Sequence, residues 1–286
     1  MNSFVPVSFE FFPPRTPEGF AKWQETRTRL AVACPQYLSV TSGAGGSTRD
    51  RTVETVADCL AAGFETAPHL SCIGAQRQEI HDLLARYLSL GVRRIVALRG
   101  DMPSGMVDPG DFRYASDLVS FIRAEYGGHF HVEVAAYPET HPQAPHALAD
   151  LDHFQRKVAA GANGAITQYF YNADAYFQLV AACRQRGMVI PIVPGIMPIT
   201  NFTQLARFSE ACGTEIPRWL RKRLEALGED LPAIRVLGHD VVLALCRRLL
   251  EGGAPGLHFY TMNQAEPILN LLEDLGYPVL TPAASS

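Results

Sequence analysis

The chain has 286 residues, of which 47% are hydrophobic and 19% charged, so it can bury a sizeable core and is not expected to be disordered. Its net charge of −4 argues against nucleic acid as the main partner, because such proteins usually present a basic face. The six cysteines are scattered without a CxxC pair, which indicates reduced thiols. No signal-peptide pattern and no apolar run of membrane-spanning length is visible, so we expect a cytoplasmic protein with no membrane partner.

Short β-like runs alternate with amphipathic helical segments along the whole chain. The predicted strands are 5–11, 36–41, 66–70, 94–98, 131–136, 164–169, 189–193 and 257–260. The clearest predicted helices are 49–62, 76–90, 116–126, 146–160 and 173–186. Gly63, Gly91, Gly161 and Gly187 each close such a helix shortly before the next strand, as glycines after a helix C-terminus do.

Eight β/α units in a chain of this length predict an α/β fold, a single (β/α)8 TIM barrel that occupies residues 1–286 as one domain. The doubly wound alternative would place a glycine fingerprint after the first strand, but this chain has Phe-Pro-Pro-Arg there. The region 201–250 is longer than one unit needs. It therefore predicts a seventh helix and two extra helices before the last strand.

The first predicted strand carries one carboxylate, Glu10, inside an apolar run. Because strand side chains alternate, Glu10 shares a face with Ser8 and Phe12, and Phe9 and Phe11 point to the other face. A buried carboxylate without a partner is costly, and burial raises its pKa toward neutrality. Two interpretations remain open: a proton-transferring group, or a glutamate paired with a buried Arg or Lys.

Other polar side chains fall at the carboxyl ends of the predicted strands, where barrels of this type place their chemistry. They are Thr41, His69, Arg99, Asp101, Tyr137, Gln168 and Tyr260, with Gly100 between Arg99 and Asp101 at the same strand end. Each has a structural alternative; His69, for example, would serve equally as a core histidine with satisfied hydrogen bonds. A whole series of this kind indicates a mouth that binds a ligand.

The sequence gives little indication of a metal site. His69 and Cys72 form an H-x2-C pair, and His129 and His131 share a strand face, but neither pair brings the further ligands that zinc needs. We therefore expect no catalytic metal. There is also no Gly-x-Ser-x-Gly elbow and no P-loop, and the glycine-rich turn at 42–48 is weak evidence for phosphate binding.

Taken together, these residues resemble the methylenetetrahydrofolate reductase family. The matching segments are SFEFFPPRT (8–16), SVTSGAGGSTRDRT (39–52), APHLSC (67–72), ALRGD (97–101), YASDLV (114–119), AAYPETHP (135–142), KVAAGANGAITQYF (157–170), PGIMPITNF (194–202) and HFYTMN (258–263). The resemblance implies a barrel that binds FAD and reduces 5,10-methylenetetrahydrofolate to 5-methyltetrahydrofolate with NADH or NADPH. In this family the nicotinamide gives hydride to FAD and leaves before the folate takes its place, which implies ping-pong kinetics.

The resemblance also implies roles for individual residues. Glu10 would be the general acid that assists ring opening at N10, with a pKa raised by its enclosed position. Asp101 would lie near flavin and pterin, Gln168 would hydrogen-bond the pterin, and Phe202 would stack on folate or nicotinamide. Tyr260 and Gln264 would complete the substrate site. The residues assigned to FAD are Thr41, His69, Arg99, Gly100, Asp101, Tyr114, Ala115, Ala135, Tyr137, His141, Asp150 and Lys157.

Two departures from the family pattern concern the mouth of the site. Relatives often carry Tyr where this chain has Ser42, and Arg where it has Gln264. The loss of that Arg would weaken binding of the glutamate tail of folate. The chain ends soon after the barrel, so we expect no S-adenosylmethionine-responsive domain of the eukaryotic kind. The resemblance also implies a homo-oligomer. Two other functions remain open: a flavin barrel that oxidises folate or another amine, and a non-enzymatic flavin- or folate-binding subunit.

Overall fold

The computed structural model describes residues 4–42, 46–101, 108 and 110–278, and the predicted turn at 42–48 lies partly outside them. Within these residues the strands are β1 Val7–Phe11, β2 Tyr37–Val40, β3 Thr66–Ser71, β4 Arg94–Leu98, β5 His131–Ala136, β6 Gly164–Thr167, β7 Ile192–Val193, β8 Gly195–Ile196 and β9 Leu257–Tyr260. The helices are α1 Pro17–Leu30, α2 Gly46–Ala61, α3 Arg77–Ser89, α4 Ala115–Tyr126, α5 Ala147–Ala159, α6 Ala173–Gln185, α7 Phe202–Cys212, α8 Arg218–Leu227, α9 Leu231–Glu251 and α10 Glu266–Asp274.

All of these strands pair in parallel in one sheet, in the order β7-β6-β5-β4-β3-β2-β1-β9-β8. The two ends of this order are consecutive in the chain, because β7 pairs with β6 and β8 pairs with β9. They are the two halves of one seventh strand, separated by Pro194, which has no N–H to give to a ladder. The sheet therefore closes into the predicted eight-stranded barrel.

The bounds predicted for this seventh strand were wrong. The prediction began at Val189, which is 80% exposed, whereas pairing begins at Ile192 and continues past Pro194 to Ile196. The other predicted strands and helices are confirmed to within a few residues. So are the three helices between the seventh and the last strand, α7, α8 and α9. The predicted helix-ending glycines are confirmed as well, since Gly63 and Gly161 have φ angles of 87° and 110°.

The two faces of each strand enter different environments. Phe9 and Phe11 point outward and are buried between sheet and helices, and the Phe11 ring packs edge-on against Trp23 of α1 at 5.9 Å. The barrel interior holds a smaller apolar cluster that includes Tyr37, with Ala67, Val96 and Ile166. The alternation predicted for β1 is thus confirmed, and it directs Ser8 and Glu10 to the interior.

A buried ion pair fills the amino-terminal end of the barrel. The Arg94 Nη1 atom donates to Glu133 Oε1 at 2.7 Å, and the Arg94 Nε atom donates to Glu65 Oε1 at 2.9 Å. The Arg94 guanidinium also lies 4.5 Å above the Tyr37 ring. These paired charges occupy the interior at this end of the barrel.

Arg94→Met should lower the free energy of unfolding by about 3–5 kcal/mol, because the buried Glu133 carboxylate would lose its main cation. Glu65→Gln is the matched control. Its carboxylate is about 43% exposed, so its loss should cost less than about 1 kcal/mol. Urea unfolding of the two variants measures both effects, and equal losses would contradict the ascribed role of the pair.

Candidate active site

Two adjoining cavities open at the carboxyl ends of the strands. The central cavity, about 350 Å³, lies over the barrel axis and is lined by Glu10, Thr41, His69, Gln168 and Tyr260 among others. The side cavity, about 450 Å³, lies over β4, β5 and the start of α4 and α5. Leu98, Ala135 and Tyr137 line both, so the two cavities share a wall.

Nearly all of the residues predicted for the site come together here. The central cavity takes Glu10, Thr41, His69, Ala135, Tyr137, Gln168 and Tyr260. The side cavity takes Arg99, Gly100, Asp101, Tyr114, Ala115, Ala135, Tyr137, His141, Asp150 and Lys157. Residues that were predicted separately from motifs far apart in the chain thus form one continuous site.

Two predicted residues lie elsewhere. Phe202 is the first residue of α7 and packs, partly buried, against the outer core rather than lining either cavity. Gln264 lines a separate cavity of about 710 Å³ bordered by α1, α9 and α10. The ligand contacts expected of both side chains remain predictions.

Several lining residues were not anticipated from the sequence. Phe208 and Cys212 of α7 line the central cavity, and His153 and Arg156 of α5 line the side cavity. Each pair is spaced by three or four residues, so both members lie on one face of their helix. That spacing was visible in the sequence, but which face meets the site depends on how the helix packs.

Glu10 lies between two histidines. The Nε2 atoms of His69 and His258 lie 3.2 Å and 3.4 Å from the same carboxylate oxygen, Oε2, and the Glu10 side chain is 12% exposed. Neither the buried Arg nor the buried Lys that the sequence left open is the partner. The partners are two imidazoles, one from β3 and one from β9.

These neighbours change the expected protonation state of Glu10. Burial raises the pKa of the carboxyl, but the charge of His69 and the hydrogen bond and charge of His258 together outweigh burial and lower the pKa to about 2. The raised pKa expected from the sequence was therefore wrong, because an enclosed position was counted and its cations were not. In the open cavity Glu10 is a carboxylate.

His69 has an incomplete set of contacts. Its Nε2 atom is buried and close to Glu10, but it is not aligned as a hydrogen bond, and no other described group satisfies it. A buried polar atom without an aligned partner is costly. His69 also lines the central cavity, so a ligand bound there would lie beside this imidazole.

The loop after β9 holds the end of β1 in place. The Thr261 hydroxyl donates to the Glu10 carbonyl at 2.6 Å, and the Asn263 carboxamide exchanges two hydrogen bonds of 2.9 Å with the backbone of Phe12. Met262 and Asn263 have φ angles of 50° and 55°. For Met262 this backbone costs roughly 1–2 kcal/mol, so the contacts on both sides hold a strained turn beside the acid.

Gln168 and Tyr260 are fixed on the wall opposite His69. The Gln168 Oε1 atom accepts from the Tyr169 backbone N–H at 3.0 Å, which leaves the amide N–H donors for a ligand. The Tyr260 hydroxyl donates to the Thr167 carbonyl at 2.7 Å. The Tyr260 ring lies over Gly195, where a Cβ atom would come within 2.6 Å of the ring, so only glycine fits beneath it.

The side cavity has cations on its wall. Lys157 Nζ donates to the Ala135 carbonyl at 2.5 Å, and burial, only partly offset by Asp150, lowers the pKa of this lysine to about 8. The Arg99 guanidinium bonds the Gln143 side chain, and Asp150 accepts from the His141 backbone N–H at 2.9 Å. Two cations beside a carboxylate suit a ligand that carries a diphosphate and a ribose.

A closed parallel barrel with a buried acid at its strand ends and a cation-lined side cavity is a (β/α)8-barrel enzyme. Residues 2–276 match the family described as methylenetetrahydrofolate reductase. The chain belongs to that family of oxidoreductases.

The chain is 40% identical over 273 residues to the 5,10-methylenetetrahydrofolate reductase of Salmonella typhimurium, with 95% of this chain and 91% of that one covered. It is 39% identical to a probable methylenetetrahydrofolate reductase (NADH) of rice, with 94% and 48% covered. A solved structure of a Clostridium thermocellum protein has the same fold, with a TM-score of 0.66, 16% identity and 96% of each chain covered.

The ionised Glu10 should make stability depend on pH. Because its folded-state pKa of about 2 is below the ordinary 4.5, its contribution is complete above pH 4.5 and is lost as pH falls toward 2. Glu10→Gln should therefore cost roughly 3 kcal/mol at pH 7 and progressively less below pH 4.5. Urea unfolding at pH 7, 4.5 and 3 tests this, with the exposed Glu25→Gln as control. A penalty that does not change with pH would contradict the assignment.

Proposed function

We propose that this protein reduces 5,10-methylenetetrahydrofolate to 5-methyltetrahydrofolate with NAD(P)H, through FAD held non-covalently. The observation that carries the proposal is the shared wall of the two cavities. It joins a cation-lined chamber to a second chamber with an acid and an amide, and the family to which the chain belongs gives that pairing its chemistry.

The residues of the side cavity fit FAD. Arg99 and Lys157 supply positive charge for its diphosphate, and Asp150 supplies an acceptor for a ribose hydroxyl. The imidazole of His69, which lines the central cavity, would lie beside a ring system that reaches this cavity. When bound, FAD would carry hydride from the nicotinamide to the folate. Asp101, exposed at the rim, would lower the reduction potential of a flavin bound beside it.

The central cavity explains why the two substrates would take turns. Nicotinamide and pterin are both flat rings, and both would stack on the same open face of a flavin bound in this cavity of about 350 Å³. The free N–H donors of Gln168 would hydrogen-bond an acceptor edge of the pterin. Phe208 rather than Phe202 is the aromatic side chain of α7 that lines this space. Exclusive occupation gives ping-pong kinetics.

Glu10 would act in the folate half of the reaction only. Opening the five-membered ring breaks a bond between carbon and N10, and the departing nitrogen needs a proton. Reduction of the flavin by a nicotinamide requires no such acid. The two half-reactions should therefore respond differently to a change at Glu10.

Protein produced with ample riboflavin should be yellow, bleached by NADH without oxygen, and reoxidised by methylenetetrahydrofolate. In stopped-flow measurements Glu10→Gln should leave the NADH step near the parent rate and slow the folate step roughly 10²–10⁴-fold. Glu65→Gln, the same change far from the site, should alter neither step. A colourless protein would overturn the flavin assignment, and equal losses in both steps would make Glu10 structural.

Lys157 should make FAD binding depend on pH. Its pKa of about 8 is that of the free site, and a bound diphosphate would raise it. The proton is then taken up on binding, so affinity should be highest below pH 8 and fall up to about tenfold per pH unit above it. Fluorescence titration of the apo-protein with FAD at pH 7, 8 and 9 measures the trend.

The control for this effect is Lys157→Arg, whose charge does not titrate in that range. Its affinity should change little between pH 7 and pH 9, and Lys157→Met should bind weakly and equally at all three values. Parallel pH curves for the parent and both variants would place the lysine away from the diphosphate.

A further inference from the structure

His258 lies directly behind Glu10, away from the ligand. It is a register partner of Ser8 across the pairing of β9 with β1, and it is fully buried. Its Nδ1 atom is 2.7 Å from the Ser8 hydroxyl oxygen, and its Nε2 atom is 3.4 Å from Glu10 Oε2. Glu10 lines the central cavity, whereas Ser8 and His258 do not. The three side chains form a row that leads from the sealed interior to the site.

The row is held rigidly. The Tyr37 ring stacks on the imidazole of His258, with 6.1 Å between centroids and 26° between planes. Each nitrogen of the imidazole therefore has one partner, Ser8 or Glu10, and the Tyr37 ring packs against the imidazole face.

The proposed reaction needs a source for the proton that Glu10 donates, and this row of side chains provides one. Glu10 must donate a proton, yet with a pKa of about 2 it has none in the open cavity. A group that already contacts the carboxylate can supply this proton. His69 and His258 both do, but the contact of His69 lacks hydrogen-bond alignment, and His69 lies on the wall where ligands bind. His258 is aligned and sealed from the ligand.

We propose that His258 is a positioning residue that holds the proton Glu10 delivers, with Ser8 fixing which nitrogen gives it up. The inference rests on the proposed function. In the resting site a charged imidazolium donates Nε2–H to the carboxylate and Nδ1–H to Ser8. When ligands displace water from the cavity, the ion pair becomes less favourable than two neutral groups, and the proton moves from Nε2 to Glu10 Oε2.

The transfer balances. His258 is left neutral, with its remaining proton on Nδ1 bonded to the Ser8 hydroxyl oxygen. As the bond between the methylene carbon and N10 breaks, its electron pair stays on nitrogen, and N10 takes the proton from Glu10. Glu10 is again a carboxylate, and one proton from water recharges His258 after the product leaves.

Few other groups near this row can titrate in the same pH range. Burial raises the pKa of Tyr37 and of Tyr260 above its ordinary value, so both stay neutral. Opposite charges in the plug below Tyr37 compensate each other. The groups that face the row are His69, Tyr37 and Tyr260, with Arg94 and Glu133 farther below. Among the described residues, His69 and His258 are the two imidazoles that contact the Glu10 carboxylate.

The test is the pH profile of the folate half-reaction in the parent and in His258→Gln, whose amide can hydrogen-bond Glu10 but cannot carry a proton. In the parent the pair keeps its proton until its upper apparent pKa is passed. In the variant only Glu10 itself can hold the proton. The alkaline limb, the high-pH side of the profile on which the rate falls, should therefore move at least about one pH unit toward acid. At pH 7 the rate of the folate half-reaction should fall roughly 10²-fold. The NADH step should keep its rate.

Two further measurements test the same proposal independently of His258→Gln kinetics. Ser8→Ala, which leaves both His258 and Glu10 in place, should move the limb in the same direction by less, and Ser8→Thr should restore it. Infrared spectra of the apo-proteins give a readout without turnover. The protonated-carboxyl band of Glu10, identified by its loss in Glu10→Gln, should appear at higher pH in His258→Gln than in the parent.

The outcomes are distinct. An unmoved limb with a uniformly lower rate, or an infrared band at the same pH in parent and variant, would overturn the proposal and leave His258 a packing residue. If His258→Gln fails to fold, an unmoved limb in Ser8→Ala would overturn it equally. A parent protein that NADH or methylenetetrahydrofolate fails to react with would refute the proposed function instead, and an infrared shift there would still establish the coupling.

Discussion

The pairing of β1 with β9 is the contact on which both the barrel and its site depend. The two strands come from opposite ends of the chain, with Ser8 beside His258 and Glu10 beside Tyr260. That register closes the sheet and at the same time brings a carboxylate to an imidazole 248 residues away. A one-residue slip would turn the interior set of β1 outward and bury Phe9 in the ligand cavity. Fold and acid are therefore specified by the same backbone hydrogen bonds.

Much of the fold could be predicted because its signals are local. Apolar runs of strand length and glycines such as Gly63, which end helices with a positive φ, marked the β/α units. The bounds of the seventh strand were predicted wrongly because its local sequence pattern is misleading. Val189 is apolar yet exposed, and Pro194 interrupts a strand that changes neighbours at that point. Which neighbour a two-residue strand chooses is decided by closure of the whole sheet, and no local pattern reports it.

The residues of the site also divide into those that the sequence placed correctly and those that it did not. Motif residues at strand ends, such as Gln168, were placed correctly because parallel strands end at one edge of a sheet. Phe202 and Gln264 lie in loops or at a helix start, where packing decides the direction of a side chain, and neither lines the expected cavities. The pKa of Glu10 could not be predicted because it is the sum of opposing effects. Burial was visible in the pattern, but the two imidazoles are distant in sequence.

The interrupted strand also makes one seam of the barrel weaker than the rest. β7 and β8 hold their neighbours through two register pairs each, whereas β4 and β5 share four. Local opening, as seen by amide hydrogen exchange, concentrates where backbone bonds are fewest. Gly195 in this seam is the register partner of His258. Brief fraying there would admit water to an imidazole that the closed barrel buries completely.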